Sequence, residues 1–213
     1  MLSFSQREGR EIVDKMIRVI QDNKDYLSEV DGAIGDGDHG INMNKGFTMV
    51  EDQLKEKEST LTEALGILSM TLMEKIGGSM GPLYGSIFMG MQMATSGKEE
   101  INGDVLQAMF VQAYDNIKMI SPAKPGDKTL VDVLDPAVNA YVKTWDETSD
   151  VKQALEACKT ASSEGLLSTI NMEAKLGRAS RLKEKSVGHQ DAGATSCSLL
   201  INAICDAAQK LLK

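Results

Sequence analysis

Apolar side chains recur along this chain at spacings of three and four, in eight separate stripes, and nowhere do they alternate strictly. Spacing of that kind puts one greasy face on a helix, whereas a half-buried strand needs a period of two. The stripes begin with Ile12, Val13, Met16, Ile17 and Ile20, then Met43, Phe47, Val50 and Leu54. Leu61, Leu65, Leu68, Leu72 and Ile76 follow, just after Ser59-Thr60, which suits a helix cap. Leu83, Ile87 and Met91 come after Pro82, a residue tolerated in a first helical turn. Val105 to Ile117, Leu130 to Tyr141, Val151 to Cys158 and Leu199 to Leu211 complete the set. The reading is an all-α chain of about eight helices that requires no sheet.

The other bulk properties agree. The 213 residues suffice for one generous domain, expected to span 1–213, and no linker divides them. Thirteen Met stand against nine aromatic residues, so flexible aliphatic side chains fill the core. With 23 Lys+Arg against 31 Asp+Glu the net charge is −8, which would repel a nucleic-acid backbone or an anionic membrane. No apolar run approaches the roughly 18 residues of a membrane span. The three cysteines, Cys158, Cys197 and Cys205, form neither a disulfide framework nor a metal motif. With no signal-peptide pattern at the N-terminus, the expectation is a cytoplasmic protein without nucleic-acid or membrane partners.

Glycines cluster between the stripes in four places: 32–40, 77–85, around 126, and 177–193. The first carries the chemistry. Asp31-Gly32-Ala33-Ile34-Gly35-Asp36-Gly37-Asp38-His39-Gly40 contains a G-x-G-x-x-G spacing, but no strand precedes it, and bare carboxylates would repel a pyrophosphate. A cation between them removes the objection. Asp36 and Asp38 can aim at one point, and Asp31 can reach it from the preceding turn. Hard Mg²⁺ takes carboxylate oxygens and bridges them to phosphates. An EF-hand fails because its invariant Gly would fall at Ile41, and zinc lacks thiols here. The competing bland reading makes the Asp-Gly pairs simple turns and caps. Gly77-Gly78-Ser79-Met80-Gly81, leading into a helix, has the parts of an anion site. No Walker A motif occurs. Gly177-Arg178-Ala179-Ser180 supplies a guanidinium, and Gly188-His189-Gln190-Asp191-Ala192-Gly193 the second of two histidines.

Taken together, Gly35-Asp36-Gly37-Asp38-His39-Gly40, Gly77-Gly78-Ser79 with Gly81-Pro82-Leu83-Tyr84-Gly85, Gly126-Asp127-Lys128-Thr129, Gly177-Arg178-Ala179-Ser180 and Gly188-His189-Gln190-Asp191 resemble the DhaL-type nucleotide-binding domain of dihydroxyacetone kinases. The motifs run in the family's order and cover essentially the whole chain. The resemblance is nearest to the free-standing form of that domain, the ADP-binding subunit of phosphotransferase-system kinases. It implies an antiparallel barrel of eight helices with nucleotide-binding loops at one end. It implies two Mg²⁺ on Asp31, Asp36 and Asp38. It places ADP or ATP on His39, Gly40, Ile41, Asn42, Ser79, Met80, Ser121, Leu130, Arg178, Asp191, Ala192 and Gly193.

In such free-standing members a phosphohistidine on a partner subunit, DhaM, phosphorylates the bound ADP. The phosphoryl group then passes to dihydroxyacetone held on the sugar-binding subunit DhaK. The resemblance therefore implies half of an enzyme, with Asp31, Asp36, Asp38 and Arg178 serving the transfer. Neither His39 nor His189 is assigned as a phosphocarrier; His39 is expected to support the phosphate site. Ala192, Met80 and Ser121 depart from the family's usual Pro, small residue and Gly, which bears on nucleotide affinity. The sugar is left open between dihydroxyacetone and a related keto-sugar such as erythrulose, and so is a homodimer. A second functional class also stays open: a nucleotide-dependent regulatory module that binds a transcription regulator, separable by a phosphotransfer assay.

Overall fold

The computed structural model describes residues 2–213, and among these it holds nine α-helices. They are α1 (Gln6–Asp22), α2 (Lys24–Ile34), α3 (His39–Leu54), α4 (Leu61–Lys75), α5 (Met80–Thr95), α6 (Gly103–Ile120), α7 (Val131–Thr148), α8 (Val151–Ser168) and α9 (Ala192–Leu211). Eight coincide with the eight stripes. The ninth, α2, is a correction to the expected count: it buries only Leu27 and Ile34, so it shows no stripe, and Asp31 sits in its last turn. The helix α3 starts at His39, directly after Asp38.

A second correction concerns strands. Ser3–Ser5 (β1) pairs antiparallel with Glu100–Asn102 (β2), Phe4 opposite Ile101. Three residues per strand are too few to show an alternation, yet both side chains are buried, so this ribbon pins the N-terminus to the α5–α6 connection.

Local sequence explains where the helices begin. Ser5 and Glu8 form a reciprocal capping box on α1, and Thr60 and Glu63 form one on α4. Each helix turns its apolar stripe inward, and the buried side chains from Phe4 to Leu212 join in one continuous cluster. Within it Phe88 lies edge-on to Phe47 with ring centroids 6.2 Å apart and stacked on Tyr84 at 6.4 Å. Packing neighbours follow a closed circuit: α1 meets α9, then α8, α7, α6, α5, α4 and α1 again, with α3 lodged between α1 and α4. In such an up-and-down arrangement alternate connections share an end. The α2–α3, α4–α5, α6–α7 and α8–α9 connections accordingly converge, and they carry the four glycine clusters. No helix among the described residues is long and apolar enough to cross a membrane.

Candidate functional site

The four connections enclose a cavity of about 610 Å³. Its acidic corner is built by the α2–α3 loop. Asp31, Asp36 and Asp38 each place a carboxylate oxygen so that the three lie within 4.8 Å of one another. The loop is held in that shape locally. Gly35 donates its amide to the Asp31 carbonyl at 2.5 Å, and Asp31 Oδ2 accepts the His39 amide at 3.2 Å. Gly37 has φ of +76°, a left-handed conformation that L side chains rarely adopt, and it turns the chain between Asp36 and Asp38. Arg178 reaches the cluster from the α8–α9 connection, pairing with Asp36 and standing 3.7 Å from Asp38. Three carboxylates so close repel one another, and an oxygen-only donor set selects a hard divalent cation over zinc.

Beside this corner, two helices begin with free amides. Neither Asp38 nor Ser79 caps its helix with its side chain. Among the described residues no acceptor meets the amides of Gly40 and Ile41 in α3, or of Met80 and Gly81 in α5. First-turn amides and the helix dipole attract anionic oxygens, so the cavity couples a cation corner to an anion-binding wall. One stretch of the lining is apolar, with Ile34, Leu83, Ile117, Pro122, Ala123 and Leu176, a surface suited to a flat ring.

Of the residues singled out in the sequence, Asp31, Asp36, Asp38, His39, Asn42, Ser79, Met80, Ser121, Leu130, Arg178, Asp191, Ala192 and Gly193 all line the cavity. Gly40 and Ile41 do not. Gly40 packs against the backbone of α2, and the Ile41 side chain is 55% exposed. His189 is exposed and lies outside the lining.

Sequence reasoning missed three groups. Tyr84 and Ser196 share a 2.5 Å hydrogen bond, and Ser196 Oγ is 2.8 Å from His39 Nε2. This chain fixes the imidazole from behind, and burial pushes its pKa down, favouring the neutral ring. Asp132 closes the α6–α7 connection by accepting the amides of Gly126 and Thr129. Lys128 is buried, and its partners are backbone carbonyls. The sequence signal available for the last two was only their place beside Gly126.

Asp191 caps α9, its Oδ2 accepting the Ala194 amide at 2.7 Å. Burial, reinforced by Asp132 and Asp31, pushes its pKa up to about 6 from the ordinary 3.8. The metal-free, ligand-free fold therefore binds a proton more tightly than the unfolded chain does. The Asp191 contribution to stability is largest below the ordinary value and is lost as pH rises through about 6. Asp191→Asn keeps the cap acceptor and removes the titration. Urea unfolding in EDTA should show wild type losing roughly 1–3 kcal/mol relative to this variant between about pH 4 and 6.5. Parallel pH profiles would contradict the assignment.

A helical circuit whose four one-ended loops bring a carboxylate trio against free helix amides defines a class of phosphate-handling domain. The DAK2 domain family matches residues 33–206, and the chain belongs to that family. It is 36% identical over 193 residues to the PEP-dependent dihydroxyacetone kinase ADP-binding subunit DhaL of Escherichia coli (strain K12), covering 90% of this chain and 92% of that one. It is 39% identical over 186 residues to ADP-binding subunit DhaL of PEP-dependent dihydroxyacetone kinase 1 of Listeria innocua, covering 87% and 88%. Among solved structures, it matches the dihydroxyacetone kinase from C. freundii in complex with AMP-PNP and Mg²⁺ with a TM-score of 0.68 and 21% identity. That match covers 92% of this chain but spans only a third (33%) of the kinase chain, and it speaks to the fold.

Proposed function

We propose that this protein is the ADP-binding subunit of a phosphoenolpyruvate-dependent dihydroxyacetone kinase, with residues 1–213 acting as one DhaL-type domain in the cytoplasm. The observation that carries the reading is the meeting of Asp31, Asp36 and Asp38 with the open N-termini of α3 and α5 in one cavity. Asp31, Asp36 and Asp38 would hold Mg²⁺, which would supply neutralisation of phosphate charge when bound. Charge favours two ions. A nucleoside diphosphate of about −3 and three carboxylates are offset by two Mg²⁺ and Arg178 to within about one charge.

The free amides at the starts of α3 and α5, with His39, Asn42, Ser79 and Arg178, orient the phosphates. Ser121, Leu130 and Asp191 to Gly193 border the remainder of the nucleotide, and the apolar wall excludes water from the base. No side chain of this protein needs to become phosphorylated, since phosphoryl transfer chiefly requires positioning and charge neutralisation. The phosphodonor is the phosphohistidine of DhaM, and the acceptor is dihydroxyacetone bound to DhaK.

Full-length similarity to free-standing DhaL subunits supports dihydroxyacetone over erythrulose. The 30% identity to D-erythrulose kinase of Mycolicibacterium smegmatis covers only 34% of that enzyme. Native mass spectrometry of the purified protein tests the reading, with ADP and two Mg²⁺ expected on each chain. Reconstitution with DhaK, DhaM and the phosphodonor should phosphorylate dihydroxyacetone. Product formation that is independent of this chain, or a chain that takes up no nucleotide with Mg²⁺, would overturn it.

A further inference from the structure

The connection between α8 and α9 is long and thinly packed, yet it presents Arg178 to the carboxylates. Two short 3₁₀ turns interrupt it, at Thr169–Asn171 and Ala179–Ser186. Residues 181–185 and 187–189 are exposed, and between 172 and 189 only Ala174 and Ser186 are buried. Hydrophobic burial therefore does little to fix this segment.

What it folds around is an ammonium group from another connection. Lys128 Nζ donates to the carbonyls of Met172 at 3.0 Å, Ser186 at 2.5 Å and His189 at 2.7 Å. A lysine has three N–H donors, and all three are used. The acceptors lie 44, 58 and 61 residues from Lys128, so one buried charge ties both ends of the segment to one point. Neighbouring bonds reinforce the tie. The Lys175 amide donates to the Asp127 carbonyl, and the Ala174 amide to Ser186 Oγ. Lys128 itself has φ of +60°, a backbone state where Gly or Asn would be relaxed. A lysine there carries a conformational cost and a desolvated charge.

We infer that Lys128 is a positioning residue whose ammonium folds residues 172–189 into a strap that holds Arg178 over Asp36 and Asp38. The strap itself rests on geometry alone, while its effect on nucleotide rests on the function proposed above. Without the ammonium three carbonyls lose their shared donor, and the strap opens locally while the helical circuit persists.

Two measurements on the full chain test this. In Lys128→Met without nucleotide, hydrogen exchange of amides 173–188 should accelerate about 10-fold or more, with the cores of α1, α4 and α9 unchanged. Should that variant fail to fold, Lys128→Gln, which keeps two donors, must give the same localised pattern at smaller amplitude. Unchanged exchange in the strap, or a uniform rise throughout the chain, overturns the inference.

The second measurement is the dissociation rate of ADP in Mg²⁺. If Arg178→Ala speeds release about 10-fold in wild type, it should add less than about 2-fold in the Lys128→Met background. Equal effects in both backgrounds would show that Lys128 does not act through Arg178. A wild-type chain that fails to bind ADP would defeat the proposed function and leave the exchange measurement to decide the strap.

Discussion

Asp36→Ala is expected to lower the affinity for ADP in Mg²⁺ by about 100-fold or more, and to leave it unchanged or improved in EDTA. The reversal follows from what the carboxylate does in each condition. On the proposed reading, Asp36 would be one of three carboxylate donors lying within 4.8 Å of one another, and its loss would remove both a Mg²⁺ ligand and a unit of charge that holds the cation. Without the cation, the same carboxylate faces the nucleotide's phosphates directly. At an effective dielectric of about 20, two unit charges about 4 Å apart repel by roughly 4 kcal/mol, so its removal relieves strain. Arg178 pairs with Asp36, and in the variant that guanidinium is freed towards the phosphates, which strengthens the gain in EDTA. Isothermal titration in the two buffers measures both arms. An equal loss in both would mean that Asp36 only shapes the loop, and the metal assignment would fall. Asp36→Asn keeps the shape and one oxygen, and should lie between wild type and alanine in Mg²⁺.

Eight of the nine helices were legible because a helix on a shared core must carry an apolar stripe. The stripes from Ile12 to Leu211 supply the core faces of α1 and α3 to α9, with Leu83, Leu199 and Leu211 only partly buried. The helix α2 escaped because burying Leu27 and Ile34 alone leaves no periodic signal. The β1–β2 ribbon escaped because three residues cannot display a period. At the site, Asp31, Asp36 and Asp38 were legible since carboxylates between glycines are hard to explain as packing. Tyr84 and Ser196 were not, because their bond joins residues 112 apart in sequence and either one alone reads as an ordinary helix residue. Lys128 is the sharpest case. Lysine in a glycine-containing loop reads as a solvated charge, and only the fold shows that three backbone carbonyls have replaced its water. Position along the chain marks the loops that can do chemistry, whereas the supports behind them depend on contacts that only the closed circuit creates.

The largest effect expected from the fold rather than the charges comes from Gly81→Ala. Gly81 lies in the first turn of α5, where that helix crosses the end of α4. A Cβ added there would stand 2.6 Å from the Leu72 carbonyl oxygen, and closer still to that of Ile76. Both are backbone atoms, so no rotamer change makes room, and α5 has to move away from α4. Overpacking of this kind costs about 1–3 kcal/mol, or about 2–12 °C in Tm for a chain of this size. The functional loss should exceed the thermal one. The displaced turn carries the free amides of Met80 and Gly81, and Ser79 and Met80 line the cavity at the start of α5. Moving donors by about 1 Å is enough to cost about 100-fold where phosphates must be held in register. Ser79→Ala separates the two causes: it deletes the neighbouring hydroxyl, leaves the backbone in place, and should lower ADP affinity by less than about 10-fold with Tm nearly unchanged. Thermal unfolding and ADP titration of the two variants decide the matter. A Gly81→Ala protein with wild-type Tm and wild-type affinity would mean that the α4–α5 contact does not position the amide wall of the site.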